Sequence, residues 1–205
     1  MLTKHKDIKA WLDRMNIENY TINDTGTITV EGNVDISCKG LTEIPVQFRI
    51  AYGYFNCSNN RLTTLEGSPR EVGGSFYCWN NNLESLEGSP QEVGGGLYCG
   101  FNNLESLEGS PREVGGDFYC YNNHLESLNS SPHEVGGDFN CSDNRLKSLN
   151  GSPQKVGGGF YCGYNRLESL HGSPQEVGGN FNCGFNRFKT IPNCDTIING
   201  ELFWT

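Results

Sequence analysis

Nine cysteines are the residues of this chain best suited to chemistry, as nucleophiles, disulfide partners or soft-metal ligands. Seven of them, Cys57, Cys78, Cys99, Cys120, Cys141, Cys162 and Cys183, fall 21 residues apart without a break. Zinc needs four ligands converging tetrahedrally, usually from closely spaced cysteine pairs. A fixed long period instead predicts one sulfur per coil of a stack, in a straight line at about 4.8 Å spacing. The reading is therefore core packing, with thiols acting as small apolar groups and no metal or cofactor bound. Cys38 and Cys194 lie off the ladder and are the two expected near the surface.

The other reactive residue types form no catalytic set. His5, His124, His133 and His171 fall in different slots of the repeat, with no Ser/His/Asp or Cys/His partners at a plausible spacing. The triplets Gly94-Gly95-Gly96 and Gly157-Gly158-Gly159 precede strand-like segments, not helices, so the helix-terminus logic of phosphate binding is missing. Carboxylates recur as ladders: Glu84, Glu105, Glu126 and Glu168 in one slot, and Glu71, Glu92, Glu113, Glu134 and Glu176 in another. These read as solvated faces or as a docking strip for a basic partner. The expectation is a protein that binds without catalysing.

The elements that position these residues are coils of a solenoid. Two residues before each ladder cysteine stand Phe55, Phe76, Leu97, Phe118, Phe139, Phe160 and Phe181. Three after it stand Asn60, Asn81, Asn102, Asn123, Asn144, Asn165 and Asn186. Leucines follow at five and eight after, ending in Phe188 and Ile191, and valines (Ala51 in the first full coil) stand six before. The period-two Phe-x-Cys predicts a short strand with both side chains inward. The Asn amides are expected to satisfy backbone groups of their own coil and the next. The Gly-Gly before each strand is expected to supply positive φ.

The register extends beyond the cysteines, with Ile36 one period before Cys57 and Trp204 one period after Cys183. The fold class is therefore mainly β: a single-domain solenoid of 21-residue coils with one parallel sheet of about nine strands, roughly 38 Å long. Residues 31–205 form the solenoid and 1–30 its N-terminal cap. The cap is expected to be an amphipathic helix over 3–17, N-capped by Thr3, followed by a hairpin of Tyr20–Ile22 and Thr27–Val30.

With the inward slots assigned, the outward ones carry the functional reading. Tyr77, Tyr98, Tyr119 and Tyr161 stand one before the cysteine, and Trp79 and Tyr121 one after. Phe101, Tyr164 and Phe185 stand two after, and Asp117 and Asp138 three before. Tyr and Trp are favoured binding anchors, and their exposure on a concave sheet face predicts a binding surface. The alternative is that the rings only stack on one another. Glu201, Phe203 and Trp204 form the last strand, with no cap expected after it, and predict a homodimer through that edge.

The net charge of −9 disfavours nucleic acid and favours a basic partner. No apolar run would span a membrane and no secretory signal opens the chain, so a cytoplasmic location with reduced thiols is expected.

Phe-x-Cys-x-x-Asn-x-Leu resembles the Leu-x-Leu-x-x-Asn-x-Leu signature of leucine-rich repeats, over about residues 30–205. The opening, KAWLDRMNIENYTINDTGTITVEGNVDISCKGLTEIPVQF, followed by GSPxEVGG coils, resembles small leucine-rich-repeat proteins encoded by tailed bacteriophages. The coils also resemble those of secreted bacterial effectors that act as ubiquitin ligases or scaffolds, but ligase activity is not expected here. The resemblance implies a binder or inhibitor of a host protein, either a defence system or host machinery, in the host cytoplasm. A sequestering protein for a nucleotide-like molecule and a structural assembly subunit are the alternatives.

Overall fold

In a computed structural model, residues 1–190 and 192–204 are described. Helix α1 (His5–Arg14) is followed by β1 (Tyr20–Ile22), β2 (Thr27–Val30), β3 (Val34–Asp35) and β4 (Gln47–Ala51). After that, each coil contributes two two-residue strands. The Phe-x-Cys segments form a nine-stranded parallel sheet running from Val34–Asp35 to Leu202–Phe203, the nine rungs that the ladder predicts. Phe55, Phe76, Leu97, Phe118, Phe139, Phe160, Phe181 and all seven ladder cysteines are buried within it. The flanking leucines at 62, 65, 83, 86, 104, 107, 125, 128, 146, 149, 167 and 170 close the same core. Ile191 lies outside the described residues.

The coil carries a second sheet where Phe-x-Cys predicts only one. The Glu-Val pairs from Glu71–Val72 to Glu176–Val177, with Lys155–Val156 in one coil, stack in register, and with β1, β2, β4 and Ile197–Ile198 they form a ten-stranded sheet. Each pair points valine inward and its neighbour outward. The arc opposite the Phe sheet is thus itself partly β structure.

The Gly-Gly pairs between the two sheets have ordinary backbone angles, contrary to the expected positive φ. They are glycine because adjacent coils nearly touch: a Cβ on Gly115 would overlap the Gly94 carbonyl oxygen. The left-handed glycine is the one in Gly-Ser-Pro, such as Gly109 at φ 90°.

The cap differs in detail from its expectation. The helix begins at His5, its N-cap is Lys4, and no side chain caps it. Ile8, Trp11 and Leu12 bury against the first coil, and the Trp11 and Phe48 rings meet edge-on at 6.3 Å. Strand β2 pairs antiparallel with β1 and parallel with β4, so the hairpin is also the first rung of the Val sheet.

The Asn ladder ties successive coils together. Asn123 donates to the carbonyls of Cys120 in its own coil (3.0 Å) and Cys99 in the preceding one (3.1 Å). Its Oδ1 accepts from Leu104 N–H at 3.0 Å. The same pattern recurs at Asn60, Asn81, Asn102, Asn144, Asn165 and Asn186. The bridge runs to the preceding coil, not the next.

Candidate binding face

The outer face of the Phe sheet gathers the aromatics into two groups. Tyr77 and Tyr98 stack at 4.9 Å and 10° between ring planes, and Tyr98 meets Tyr119 edge-on at 5.3 Å. Tyr121 joins through Tyr119 at 6.2 Å and through Phe101 at 5.2 Å. Tyr54, in the slot three before Cys57, extends this group by an edge contact with Tyr77 that sequence reasoning missed. Its position among the outward slots was the available signal. Tyr164 and Phe185 form the second group, stacked at 4.4 Å. Tyr161 is half-buried beside the rung where the tyrosine ladder lapses, and Trp79 stands at the exposed margin. Ring–ring contact thus uses much of this surface, as the stacking alternative anticipates, but it leaves Trp79, Phe101, Tyr164 and Phe185 exposed.

The slot two after the cysteine has an unexpected backbone. Every one of its residues is left-handed: Cys38, Asn59, Asn80, Phe101, Asn122, Asp143, Tyr164 and Phe185, all at φ 53–56°. Asn and Asp adopt this conformation readily, whereas a bulky side chain there is an outlier. Phe101, Tyr164 and Phe185 occupy it while 45%, 54% and 65% exposed. The preceding residue is Gly100, Gly163 or Gly184, and a Cβ on Gly100 would crowd the Tyr121 ring.

Asp117 and Asp138 serve the backbone as well as the surface. Asp117 Oδ1 accepts Asp138 N–H at 2.9 Å, and Asp138 Oδ1 accepts Gly159 N–H at 2.6 Å. Their Oδ2 atoms accept from the hydroxyls of Tyr98 (3.1 Å) and Tyr119 (3.5 Å). Burial, then the neighbouring aspartates, pushes both tyrosines up to about 12. Tyr161 is raised for the same reasons.

In comparisons with protein-family models, curated proteins and solved structures, nothing matches this chain.

Elsewhere the surface is acidic and regular. Both glutamate ladders are broken once, by Lys147 and Lys155, which pair with Glu126 (3.8 Å) and Glu176 (3.4 Å) across adjacent coils. A groove of about 1000 Å³ crosses the outside of the Val sheet, lined by Glu71, Glu92, Glu113 and Glu134 and by glycines. No group of three or more His, Cys, Asp or Glu side chains converges as a metal site among the described residues. Among them, no helix is long and apolar enough to cross a membrane. Cys38 is exposed and Cys194 half-buried.

The last coil is less enclosed than those before it. Phe188, Ile198, Leu202 and Trp204 are only partly buried against the core. Phe203 is 42% exposed and Glu201 is exposed. The strand Leu202–Phe203 stands at the end of the Phe sheet.

Proposed function

We propose that this chain is a non-enzymatic binding module that holds a protein partner on the outer face of the Phe sheet. The observation that carries this reading is the left-handed backbone at Phe101, Tyr164 and Phe185. An L-residue in that conformation is disfavoured by about 1–2 kcal/mol, a penalty Asn largely escapes. Ring contact returns about 0.5–1.5 kcal/mol, so the aromatics give folding no net gain over the Asn and Asp of other coils. Exposed aromatics held in a strained backbone are instead suited to anchoring a partner. Ring stacking weakens the nucleotide-sequestering alternative, because stacked rings cover each other's faces.

The partner we infer is a host protein with a basic surface, matched to the net charge of −9. The leucine-rich-repeat resemblance of the coils and opening supports a phage-encoded inhibitor of a host defence system or host machinery, acting in the cytoplasm. The test is affinity capture from host lysate, with partners identified and their affinity remeasured in purified form. The triple variant F101N/Y164N/F185N restores the residue other coils use, so its thermal midpoint should not fall. Its affinity should drop by at least about tenfold, as expected for loss of anchor residues. Undiminished affinity would place the binding site elsewhere.

The partly buried end of the last coil supports self-association through Glu201, Phe203 and Trp204, two Leu202–Phe203 edges pairing about a two-fold axis. Light scattering on the 205-residue chain should give a dimer mass that Phe203→Lys returns to monomer. A monomer mass for the unaltered protein at high concentration removes this interface.

A further inference from the structure

The tyrosine ladder is interrupted for a single rung. Tyr77, Tyr98, Tyr119, Asn140 and Tyr161 are hydrogen-bonded neighbours in register along the Phe sheet. With Asn140 between them, Tyr119 and Tyr161 stand two strand spacings apart, about 9.6 Å at the backbone. A ring occupies about one spacing in the 4.9 Å Tyr77–Tyr98 stack, so the Asn140 rung lacks the ring its neighbours carry, and the backbone spacing admits one planar group there. Asn140 does not use that room for a cross-coil contact. Its Oδ1 accepts Ser142 N–H at 3.0 Å, tying the short side chain to its own coil.

Negative charge gathers at this break beyond what the backbone bonds require. Asp138 belongs to the same coil as Asn140, and Asp117 to the coil before it. Each accepts the backbone N–H of the next coil's equivalent residue. The identical bond is made elsewhere by neutral side chains: Asn33 to Tyr54 N–H, Ser75 to Gly96 N–H and Asn180 to Glu201 N–H. The backbone bond needs an oxygen but not a charge, and the second oxygens accept only the neutral hydroxyls of Tyr98 and Tyr119. Like charges on adjacent rungs also oppose each other. Among the described residues the only ion pairs are Lys147–Glu126 and Lys155–Glu176, so neither aspartate has a cationic partner. A second break, at Asn182, has neutral Asn180 in the corresponding slot and no such charge.

Resting on the binding face proposed above, we infer that the break at Asn140 receives the guanidinium of a partner's arginine, between Tyr119 and Tyr161 and paired with Asp138. Arginine fits better than lysine because its planar cation stacks on rings and bonds a carboxylate through two N–H groups. Asp117, one rung away, adds to the negative field. Four features of the partner site thereby become specific: a planar cation, its register, its orientation and its carboxylate.

The probe is Nα-acetyl-arginine methylamide, titrated into the full chain and followed by amide chemical shifts. Its citrulline counterpart has the same shape without the charge. The arginine probe should shift Tyr119, Asn140 and Tyr161 saturably, and the citrulline probe should bind at least about tenfold more weakly. Asp138→Asn keeps the acceptor for Gly159, as Asn33 and Asn180 do in their coils, so the fold is retained while arginine affinity falls about tenfold. Asn140→Tyr restores the ladder ring and should abolish the shifts. Equal response to the two probes, an unaltered Asp138→Asn, or no shifts at these residues up to the probe's solubility limit overturns the inference. Failure here with capture still lost in F101N/Y164N/F185N leaves the binding face standing. Arginine binding with capture unaffected by that triple variant leaves the slot and removes the larger face.

Discussion

Between pH 9 and pH 12 this protein should lose its stability steeply, because unfolding releases protons from thiols that the folded state keeps neutral. Burial pushes Cys57 and Cys183 from the ordinary value of 9.0 up to about 12, and it raises Cys78, Cys99, Cys120, Cys141 and Cys162 well above that ordinary value. A raised folded-state value means full stability below the unfolded value and progressive loss above it. Above pH 9 the unfolded chain binds fewer protons than the folded one, so stability falls by about 1.4 kcal/mol per pH unit for each thiol. Seven thiols acting together give a slope near 10 kcal/mol per unit, comparable to the whole stability of an ordinary domain. Tyr98 and Tyr119 add to the loss above pH 10.

The measurement is urea unfolding at a series of pH values, with thiol labelling at pH 8 alongside it. Native protein should label at Cys38 and then Cys194, and all nine cysteines should label only in denaturant. A Cys99→Ala/Cys120→Ala/Cys141→Ala variant loses stability at neutral pH through three cavities but should show a visibly shallower alkaline slope. Rapid native labelling of all nine thiols, or a flat profile between pH 9 and 10, would contradict the buried ladder.

Replacing Asn123 by Ala is expected to destabilise the protein by about 3–6 kcal/mol. The side chain is 6% exposed and serves two coils at once. Its removal strands the carbonyls of Cys99 and Cys120 and the N–H of Leu104 in a place that water reaches poorly. Each buried group left unpaired costs about 1–3 kcal/mol. Asn103, which follows the equivalent ladder residue Asn102 one coil earlier and is exposed, is the control, and its change to Ala should stay within about 0.5 kcal/mol. Equilibrium denaturation reads both, and a loss below 1 kcal/mol for Asn123→Ala would show that the ladder is incidental to stability.

The cysteine period made the nine-rung Phe sheet readable before any coordinates, down to its terminal members Val34 and Leu202. Strict repetition converts one local signal into long-range register. The Val sheet was not readable because Glu-Val offers one inward residue, whereas Phe-x-Cys shows the period-two alternation of a strand. The glycine pairs misled for a related reason. Sequence shows that a side chain is forbidden there, but not whether torsion or a neighbouring carbonyl forbids it. At the binding face the exposed aromatics were readable from the slots, while their pairing was not, because ring contacts depend on side-chain rotamers. Asn59, Asn80, Asn122 and Asp143 did hint at the left-handed slot, since those residue types favour it. The break at Asn140 acquires meaning only when the rungs on either side are known to be adjacent.

The unbroken 21-residue period also makes the molecule editable by whole coils. Excising residues 132–152 would join Ser131 to Pro153, the sequence pair that already occurs there as Ser131-Pro132. The inward slots would keep their phase, and Cys120 would simply stack on Cys162. The surface would be rewritten: Tyr161 would move beside Tyr119, and the carboxylate of Asp138 would vanish together with the rung that bears it. Length and surface pattern are thus separate variables in this architecture, and insertion or loss of a single cassette can create or erase a recognition element without redesigning the interior.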